Sequence, residues 1–302
     1  MSIAVPRTGA WRMPPLVIAC LAATWLVWGS TYLAIRFALA GFAPFFMMGT
    51  RFIVAGGLLL AWMRWRGSPL PRAIEWRNAF IVGALMLGCG MGCTAIAEQT
   101  VGSGVVVAFI AVTPLLVVIL SLAYRQFPTG GEVVGVLVGL TGVLMLTQGA
   151  GFGASPTGLL AMVIACSGWS VGSVLSQRRL HLAPGPMGFA SEMLCGGVLL
   201  LAASWLRGEP MHAATTAGPW LAWLYLTTFG SLIAFNAYMV LLSRASPSVA
   251  TSYTYVNPVI AMLLGVAIGG EHIARWEWIS AMVTLTGVVI VFASRRRRSS
   301  AG

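Results

Sequence analysis

The stretch VGLTGVLML, Val138–Leu146, returns in related form as VTLTGVVIV, Val283–Val291, near the other end of the chain. The shared tetrapeptide LTGV begins at Leu140 and again at Leu285, which is a spacing of 145 residues in a chain of 302. Both copies lie near the end of an apolar run. The repeat indicates that the chain consists of two related halves, and it guides the interpretation of everything between them.

The composition indicates an integral membrane protein. Hydrophobic residues make up 58% of the chain and charged residues only 8%, with a mean hydropathy of +0.88. An ordinary soluble domain has roughly 25% charged residues. All 18 basic residues are arginine and all 7 acidic residues are glutamate. The arginines lie between apolar runs and not on one face of a soluble fold, so we expect no nucleic-acid partner.

The apolar runs predict ten membrane-spanning helices. A spanning helix needs about 20 mostly apolar residues, and no connection between the runs is long enough for a soluble domain. The predicted spans are Leu16–Leu39, Pro44–Met63, Asn78–Ala97, Val101–Tyr124, Val133–Thr147, Gly158–Leu175, Met187–Leu206, Pro219–Leu242, Ser248–Ile268 and Trp278–Ala293.

The repeat extends well beyond the tetrapeptide. Pro114 precedes Gly142 by 28 residues, and Pro258 precedes Gly287 by 29 residues, so a span with a central proline comes before each LTGV span. The repeated unit is therefore at least a pair of helices.

Upstream, the first and sixth spans place Trp28 and Trp169 in similar surroundings. We interpret residues 1–149 and 150–302 as two five-helix repeats. Because five is odd, the second repeat enters from the opposite side of the membrane and is inverted relative to the first. The predicted fold is an all-α polytopic membrane protein of ten helices in two inverted repeats, which is typical of secondary transporters. A duplication that merely enlarged a structural bundle is the alternative.

The distribution of arginines predicts the orientation. If the N-terminus is cytoplasmic, 14 of the 18 arginines lie in cytoplasmic segments, three lie near the outside and one, Arg51, lies within a span. The positive-inside rule then places both termini in the cytoplasm. The terminal run Arg295–Arg298 is interpreted as a topology anchor, with a nuclear signal or a lipid-binding patch as the alternatives.

The residues needed for common enzyme chemistry are missing. Without lysine there is no P-loop, and without aspartate there is no aspartate-rich magnesium motif. His181, His212 and His272 fall in connections, so no zinc site of the HExxH type lies in a span. The five cysteines are scattered through apolar runs as core residues. We therefore expect no enzyme activity, no metal and no cofactor.

The order of several motifs resembles a known family. The segments WGSTY at Trp28–Tyr32, RFIVAGG at Arg51–Gly57 and GGEHIARWEWISAMVTLTGV at Gly269–Val288, together with the proline-centred spans, are similar to the EamA-type branch of the drug/metabolite transporter superfamily. The resemblance implies a bacterial inner-membrane exporter of amino acids or related metabolites, most similar to aromatic and neutral amino-acid exporters. We expect a monomer in the lipid bilayer with a small-molecule substrate. Glu271 has no clear counterpart in the first repeat, so we expect a structural role.

Polar and aromatic residues inside the spans predict a substrate cavity between the repeats. Trp28 and Tyr32 are four residues apart on one helix face, and Trp169 and Ser173 repeat this spacing. Proline frees a backbone carbonyl and kinks a helix, which membrane proteins tolerate where the backbone lines a cavity. Aromatic belts at the membrane interface are the alternative for the tryptophans. The predicted substrate-binding residues are Trp28, Tyr32, Glu98, Thr113, Trp169, Ser173, Asn236, Tyr238, Tyr253 and Asn257, and the predicted kinks are at Pro114 and Pro258.

Three charged residues bear on energy coupling. Arg51 and Glu192 lie at similar depth in opposite halves and are assigned structural roles, with substrate contact as the alternative for Arg51. A pair between them would keep Glu192 ionised and unfit as a proton carrier, which favours gradient-driven uniport. Glu98 is interpreted either as an interfacial cap or as an attractor for a substrate amino group. Proton-coupled efflux of aromatic or cationic drugs and a passive channel are the alternative functions.

Overall fold

A computed structural model describes residues 13–101, 103–125, 127–147, 155–210, 216–269 and 275–299. The fold of these residues is all-α, as predicted. A four-residue helix, Pro247–Ala250, lies between the eighth and ninth long helices. The ten long helices are α1 (Pro15–Leu39), α2 (Pro44–Trp65), α3 (Ala73–Ala97), α4 (Ser103–Leu122), α5 (Gly130–Thr147), α6 (Pro156–Arg178), α7 (Pro186–Leu206), α8 (Ala217–Arg244), α9 (Tyr253–Gly269) and α10 (Arg275–Ser299).

Six of these helices are long and apolar enough to cross a membrane by length and composition, namely α1, α2, α3, α6, α7 and α8. Shorter apolar segments lie within α4, α5 and α10, at Ile110–Leu122, Gly130–Met145 and Trp278–Val291. Four of the six helices, α1, α2, α6 and α7, begin with proline. Proline suits the first helical position because the N–H that it lacks has no partner within the helix there.

Each predicted span coincides with a helix, and the boundaries differ where local capping decides them. Helix α3 begins five residues before the predicted span because the Glu75 carboxylate accepts a hydrogen bond from the Arg72 backbone N–H at 2.7 Å, which caps the helix start. Helix α9 begins at Tyr253, later than predicted, because a turn at Thr251 and Ser252 separates it from the preceding short helix.

Helices α3 and α8 each contain a π-helical segment, at Ala84–Gly92 and Leu226–Phe235. These segments lie in the third span of each half. Sequence periodicity did not predict them, because a π-helical turn contains only about one residue more than an α-helical turn. The apolar and small residues therefore follow nearly the same pattern in both. Such segments occur frequently at functional sites, and both border the site described below.

The two LTGV copies pack directly against each other. Helix α5 lies along α10 so closely that a Cβ atom on Gly287 would lie 2.6 Å from the Gly139 Cα atom. A Cβ atom on Gly142 would likewise lie 2.8 Å from the Thr284 Cα atom. Thr284 follows Gly139 by the same 145 residues that separate Gly287 from Gly142. Glycine is required at both crossings because only a bare backbone permits this approach.

The other helix contacts also occur in matching pairs between the halves. Helix α2 packs on α7, its counterpart in the other half. The contact of α1 with α9 corresponds to that of α6 with α4. The contact of α3 with α6 corresponds to that of α8 with α1. Exchanging each helix for the one five places along the chain reproduces these contacts. The first and sixth helices, which carry the paired tryptophans, therefore lie at the centre of the bundle.

Candidate functional site

Four aromatic side chains from four helices form a cluster at the contact between the halves. Trp28 of α1 lies edge-on to Trp169 of α6, with ring centroids 5.6 Å apart, and edge-on to Tyr253 of α9 at 4.7 Å. Tyr238 of α8 lies 5.2 Å from Trp28 and 5.3 Å from Trp169. Edge-to-face contacts of this kind contribute about 0.5–1.5 kcal/mol each beyond burial. We call these four residues the aromatic cluster.

Hydrogen bonds hold the aromatic cluster in one arrangement. The Trp169 indole N–H donates to the Tyr238 hydroxyl at 3.2 Å, and the Ser173 hydroxyl shares a hydrogen bond with the same oxygen at 3.0 Å. Ser173 lies one turn after Trp169 on the same face of α6, so the two residues hold Tyr238 together. In the first half, the Trp28 indole N–H donates to the Gly230 carbonyl at 3.4 Å, which joins α1 to the π-helical segment of α8.

A wide vestibule lies on one side of the aromatic cluster. Its volume is about 1780 Å³, which exceeds the roughly 300–1,000 Å³ of most small-molecule sites. The first residues of α1 and the last turns of α6 and α8 line it, together with Asn236 and with three arginines, Arg125, Arg178 and Arg244. We call the side on which the vestibule lies the arginine face.

A small chamber lies on the other side of the aromatic cluster. Its volume is about 60 Å³, which is far too small for an amino acid. Trp28, Trp169 and Tyr253 form part of its wall, and the remaining lining residues are Thr31, Tyr32, Ile35, Gly90, Met91, Thr94, Ile110, Thr113, Ala165 and Cys166. Along α1 the vestibule residues end at Ala23 and the chamber residues begin at Trp28, so the aromatic cluster lies between the two cavities.

The structure brings most of the predicted site residues to these two cavities. Tyr32 and Thr113 line the chamber, whereas Asn236 lines the vestibule and donates from its side-chain nitrogen to the Leu232 carbonyl at 2.8 Å. The Asn257 amide, assigned from its surroundings, donates to the backbone carbonyls of Tyr253 and Trp25 at 3.0 and 3.1 Å.

Sequence reasoning missed the contribution of α3 to the chamber. Gly90, Met91 and Thr94 line it, and the first two belong to the π-helical segment. The signal that could have found them is the spacing of Gly90, Thr94 and Glu98, which recur every four residues and would share one face of a helix.

The charged residues inside the membrane are arranged differently from the expected pair. Arg51 is 1% exposed, its Nε donates to the Ser231 hydroxyl at 3.0 Å, and its Nη1 is buried without a partner. Glu192 is fully buried, and neither of its carboxylate oxygens has a hydrogen-bond partner. In the described part of the chain the ion pair within 4.0 Å is Arg72 with Glu75. Arg51 and Glu192 therefore do not form the ion pair considered in the sequence analysis.

Glu98 directly follows α3, four residues after the chamber residue Thr94, and one of its carboxylate oxygens, Oε1, is buried without a partner. Its charged neighbours are Arg36 and Arg51. Pro114 lies inside α4 and Pro258 inside α9, although the side chain of Pro258 and the whole of Glu271 lie outside the described residues.

The family of the chain follows from two matches that cover most of its length. A model of the EamA-like transporter family matches residues 15–148 and again residues 156–293. The chain belongs to the EamA-like transporter family. It is accordingly an integral membrane transporter.

This EamA-like transporter is similar to several known proteins over most of its length. The uncharacterized inner membrane transporter YedA of Escherichia coli (strain K12) is 40% identical over 276 residues, covering 91% of this chain and 90% of the relative. Protein PecM of Dickeya dadantii is 26% identical and covers 90% of this chain and 92% of its own length. A solved protein with 24% identity, covering 93% of this chain and 98% of its own, has the same fold at a TM-score of 0.75.

Proposed function

We propose that this EamA-like transporter is a secondary transporter of a bacterial inner membrane that exports aromatic and neutral amino acids or related metabolites. The observation that carries the proposal is the aromatic cluster, which closes the passage between a wide vestibule and a small chamber. Flat aromatic walls favour a substrate with a flat apolar side chain. Such a barrier at the contact between two halves suits alternating access, in which the substrate is held near the middle of the membrane.

The paired helix contacts support two inverted repeats, which we assign to residues 1–149 and 150–302. Exchanging the halves reproduces the contacts, from α1 with α9 and α4 with α6 to the glycine crossings of α5 with α10. If the two halves can exchange conformations, the side of the protein that is now closed becomes open, and the side that is now open becomes closed. The vestibule and the chamber would then exchange their sizes as the transporter changes state.

The arginine face is assigned to the cytoplasm, which makes the present conformation open to the inside. The support is the positive-inside rule applied to Arg125, Arg178 and Arg244 at the vestibule. A substrate made in the cell would enter the vestibule and reach the aromatic cluster, and it would leave through the enlarged chamber. The export direction then follows the substrate gradient.

The experiment that tests this function uses purified protein in liposomes. Liposomes loaded with labelled phenylalanine, labelled threonine or a labelled organic cation should release the two amino acids faster than protein-free liposomes. The cation should leave at the background rate. If the liposomes release only the cation, the proposal of amino-acid export is wrong and drug efflux takes its place.

Proton-coupled efflux is the second candidate function, and Glu192 is the observation that favours it. A fully buried carboxyl group with no partner is unfavourable as an ion, and membrane transporters use such groups as proton carriers. A passive channel has less support, because the aromatic cluster separates the two cavities and a channel requires a continuous path.

A further inference from the structure

Arg51 is buried and Glu98 is half-buried, and each retains one buried polar atom without a partner. The Nη1 atom of Arg51 and the Oε1 atom of Glu98 are both buried and make no hydrogen bond. Arg51 uses its Nε for Ser231 and packs its guanidinium carbon 4.6 Å from the centre of the Phe52 ring, but these contacts leave one edge of the guanidinium free. Burying such atoms without partners is costly unless a ligand supplies them.

Both groups lie close to residues that line the chamber. Glu98 follows Thr94, which lines the chamber, by one α-helical turn, so its side chain continues the same face of α3. On the α1 side, Thr31 and Arg51 meet at Gly230. A Cβ atom on Gly230 would lie 3.5 Å from the Thr31 Cγ2 and 3.8 Å from the Arg51 Nη2. The Arg51 guanidinium and the chamber residue Thr31 therefore both lie beside Gly230.

The two charges attract each other but do not neutralise each other by contact. Each is the other's electrostatic neighbour, yet no nitrogen–oxygen distance between them falls within 4.0 Å. Arg36, the other positive neighbour of Glu98, is exposed in the last turn of α1. A buried guanidinium and a nearby carboxylate, each with one buried atom that has no partner, fit a ligand that carries one charge of each sign.

We infer that Arg51 and Glu98 form a two-point site for the zwitterionic end of an amino acid. The inference rests on the proposed function and assigns each end of the substrate to a residue. The Arg51 guanidinium donates to the substrate carboxylate, for which its fork of N–H groups is suited. The Glu98 carboxylate accepts from the substrate ammonium group. The substrate side chain then lies against Trp28 and Tyr32.

This site selects for both charges at once. A ligand with only a carboxylate leaves Glu98 unpaired, and a ligand with only an ammonium group leaves Arg51 unpaired. Sites that hydrogen-bond a substrate group reject analogues lacking it strongly, because the buried polar atoms of the site lose their partner. Arg51 is 1% exposed, so its guanidinium is not open to bulk water in this conformation.

The test compares three ligands on the purified full chain in detergent by isothermal titration calorimetry. Phenylalanine carries both charges, 3-phenylpropanoate lacks the ammonium group and 2-phenylethylamine lacks the carboxylate. The unaltered protein should bind phenylalanine about tenfold or more tighter than either analogue. Glu98→Gln should weaken phenylalanine about tenfold and change 3-phenylpropanoate by less than about twofold. Arg51→Lys should instead weaken phenylalanine and spare 2-phenylethylamine, while Arg64→Lys, an exposed arginine of the same helix, changes none.

Equal weakening of phenylalanine and 3-phenylpropanoate by Glu98→Gln would overturn the inference, as would equal binding of all three ligands by the unaltered protein. If the Arg51→Lys variant does not fold, the binding of the three ligands to the Glu98→Gln variant is sufficient to test the inference. A protein that moves phenylalanine in liposomes but fails this ligand comparison loses only the two-point site. A protein that moves no amino acid loses the proposed function and the site together.

Discussion

The Trp169 indole N–H and the Tyr238 hydroxyl form a 3.2 Å hydrogen bond that joins α6 to α8 at the aromatic cluster. Ser173 bonds to the same hydroxyl from one turn away, and Trp28 of the other half packs against both rings. The hydroxyl of Tyr238 therefore joins α6 to α8 within the aromatic cluster. Under the proposed alternating access, opening a passage here has to break these bonds or move α6 and α8 together.

Tyr238→Phe removes that hydroxyl and keeps the ring. We expect a loss of about 1–2 kcal/mol in the free energy of unfolding, because a buried indole N–H loses its acceptor. Thermal unfolding in detergent measures the change. Tyr124→Phe, at the end of α4 and away from the aromatic cluster, is the control and should unfold with the unaltered protein. Equal thermal stability of the two variants would contradict the role of the Tyr238 hydroxyl in joining α6 to α8.

Trp28→Ala and Trp169→Ala should each weaken transport of phenylalanine, because each removes an aromatic wall that contributes about 0.5–1.5 kcal/mol to a ring contact. That energy corresponds to roughly a two- to tenfold loss of apparent affinity. Trp278→Ala is the control, since Trp278 is 50% exposed at the outer surface of α10 and should leave transport unchanged. Equal losses in all three, at equal expression, would mean that these tryptophans only anchor helices.

Gly287→Ala should destabilise the protein by about 1–3 kcal/mol, the usual cost of overpacking. The added Cβ would meet the backbone of Gly139, which cannot move aside as a flexible side chain can. Gly57→Ala places the same methyl group where nothing lies within 4 Å and should be neutral or slightly stabilising. Fluorescence-detected gel filtration after heating compares the two. Equal melting would argue against the close crossing of α5 and α10.

Single cysteines in a cysteine-free background test the orientation. Cysteine at Ser68, in the loop after α2, should react with an impermeant maleimide only after the membrane is opened, as should cysteines added at both termini. Cysteine at Gln99, at the end of α3, should react in intact cells. A C-terminus that is labelled from the periplasm contradicts the cytoplasmic assignment of the arginine face.

Glu192→Gln separates uniport from proton antiport. Under uniport, liposomes take up labelled phenylalanine to equilibrium without a pH difference, and the variant, which keeps the shape of the side chain, retains most of that uptake. An imposed pH gradient should add no accumulation above equilibrium. Accumulation that depends on the gradient and disappears in Glu192→Gln would establish antiport in its place.

The helices and the central tryptophans could be predicted because a membrane imposes simple rules. Ten apolar runs became ten helices, and Trp28 and Trp169 lie together because the repeat puts them at equivalent places. The ends were less predictable, since the start of α3 depends on a single carboxylate, that of Glu75. Length and hydropathy do not encode such a cap.

The charged residues show a limit of sequence reasoning. Equal depth made a pair of Arg51 with Glu192 conceivable, but depth along the membrane normal does not determine which way a side chain points, and Arg51 points toward Ser231 of α8. The π-helical segments add to this uncertainty, because each shifts the residues after it around the helix. The contribution of Gly90 and Met91 to the chamber was missed for the same reason.

The crossing of α5 and α10 has the form of an isologous contact. Gly142 meets Thr284, and Gly287 meets Gly139, the residue equivalent to Thr284 in the other half. The two crossings pair equivalent positions, as the contacts of identical subunits do across a twofold axis, although Gly139 and Thr284 differ. A contact of this form places the same demand for a bare backbone on Gly142 and on Gly287, the glycines of the two LTGV copies.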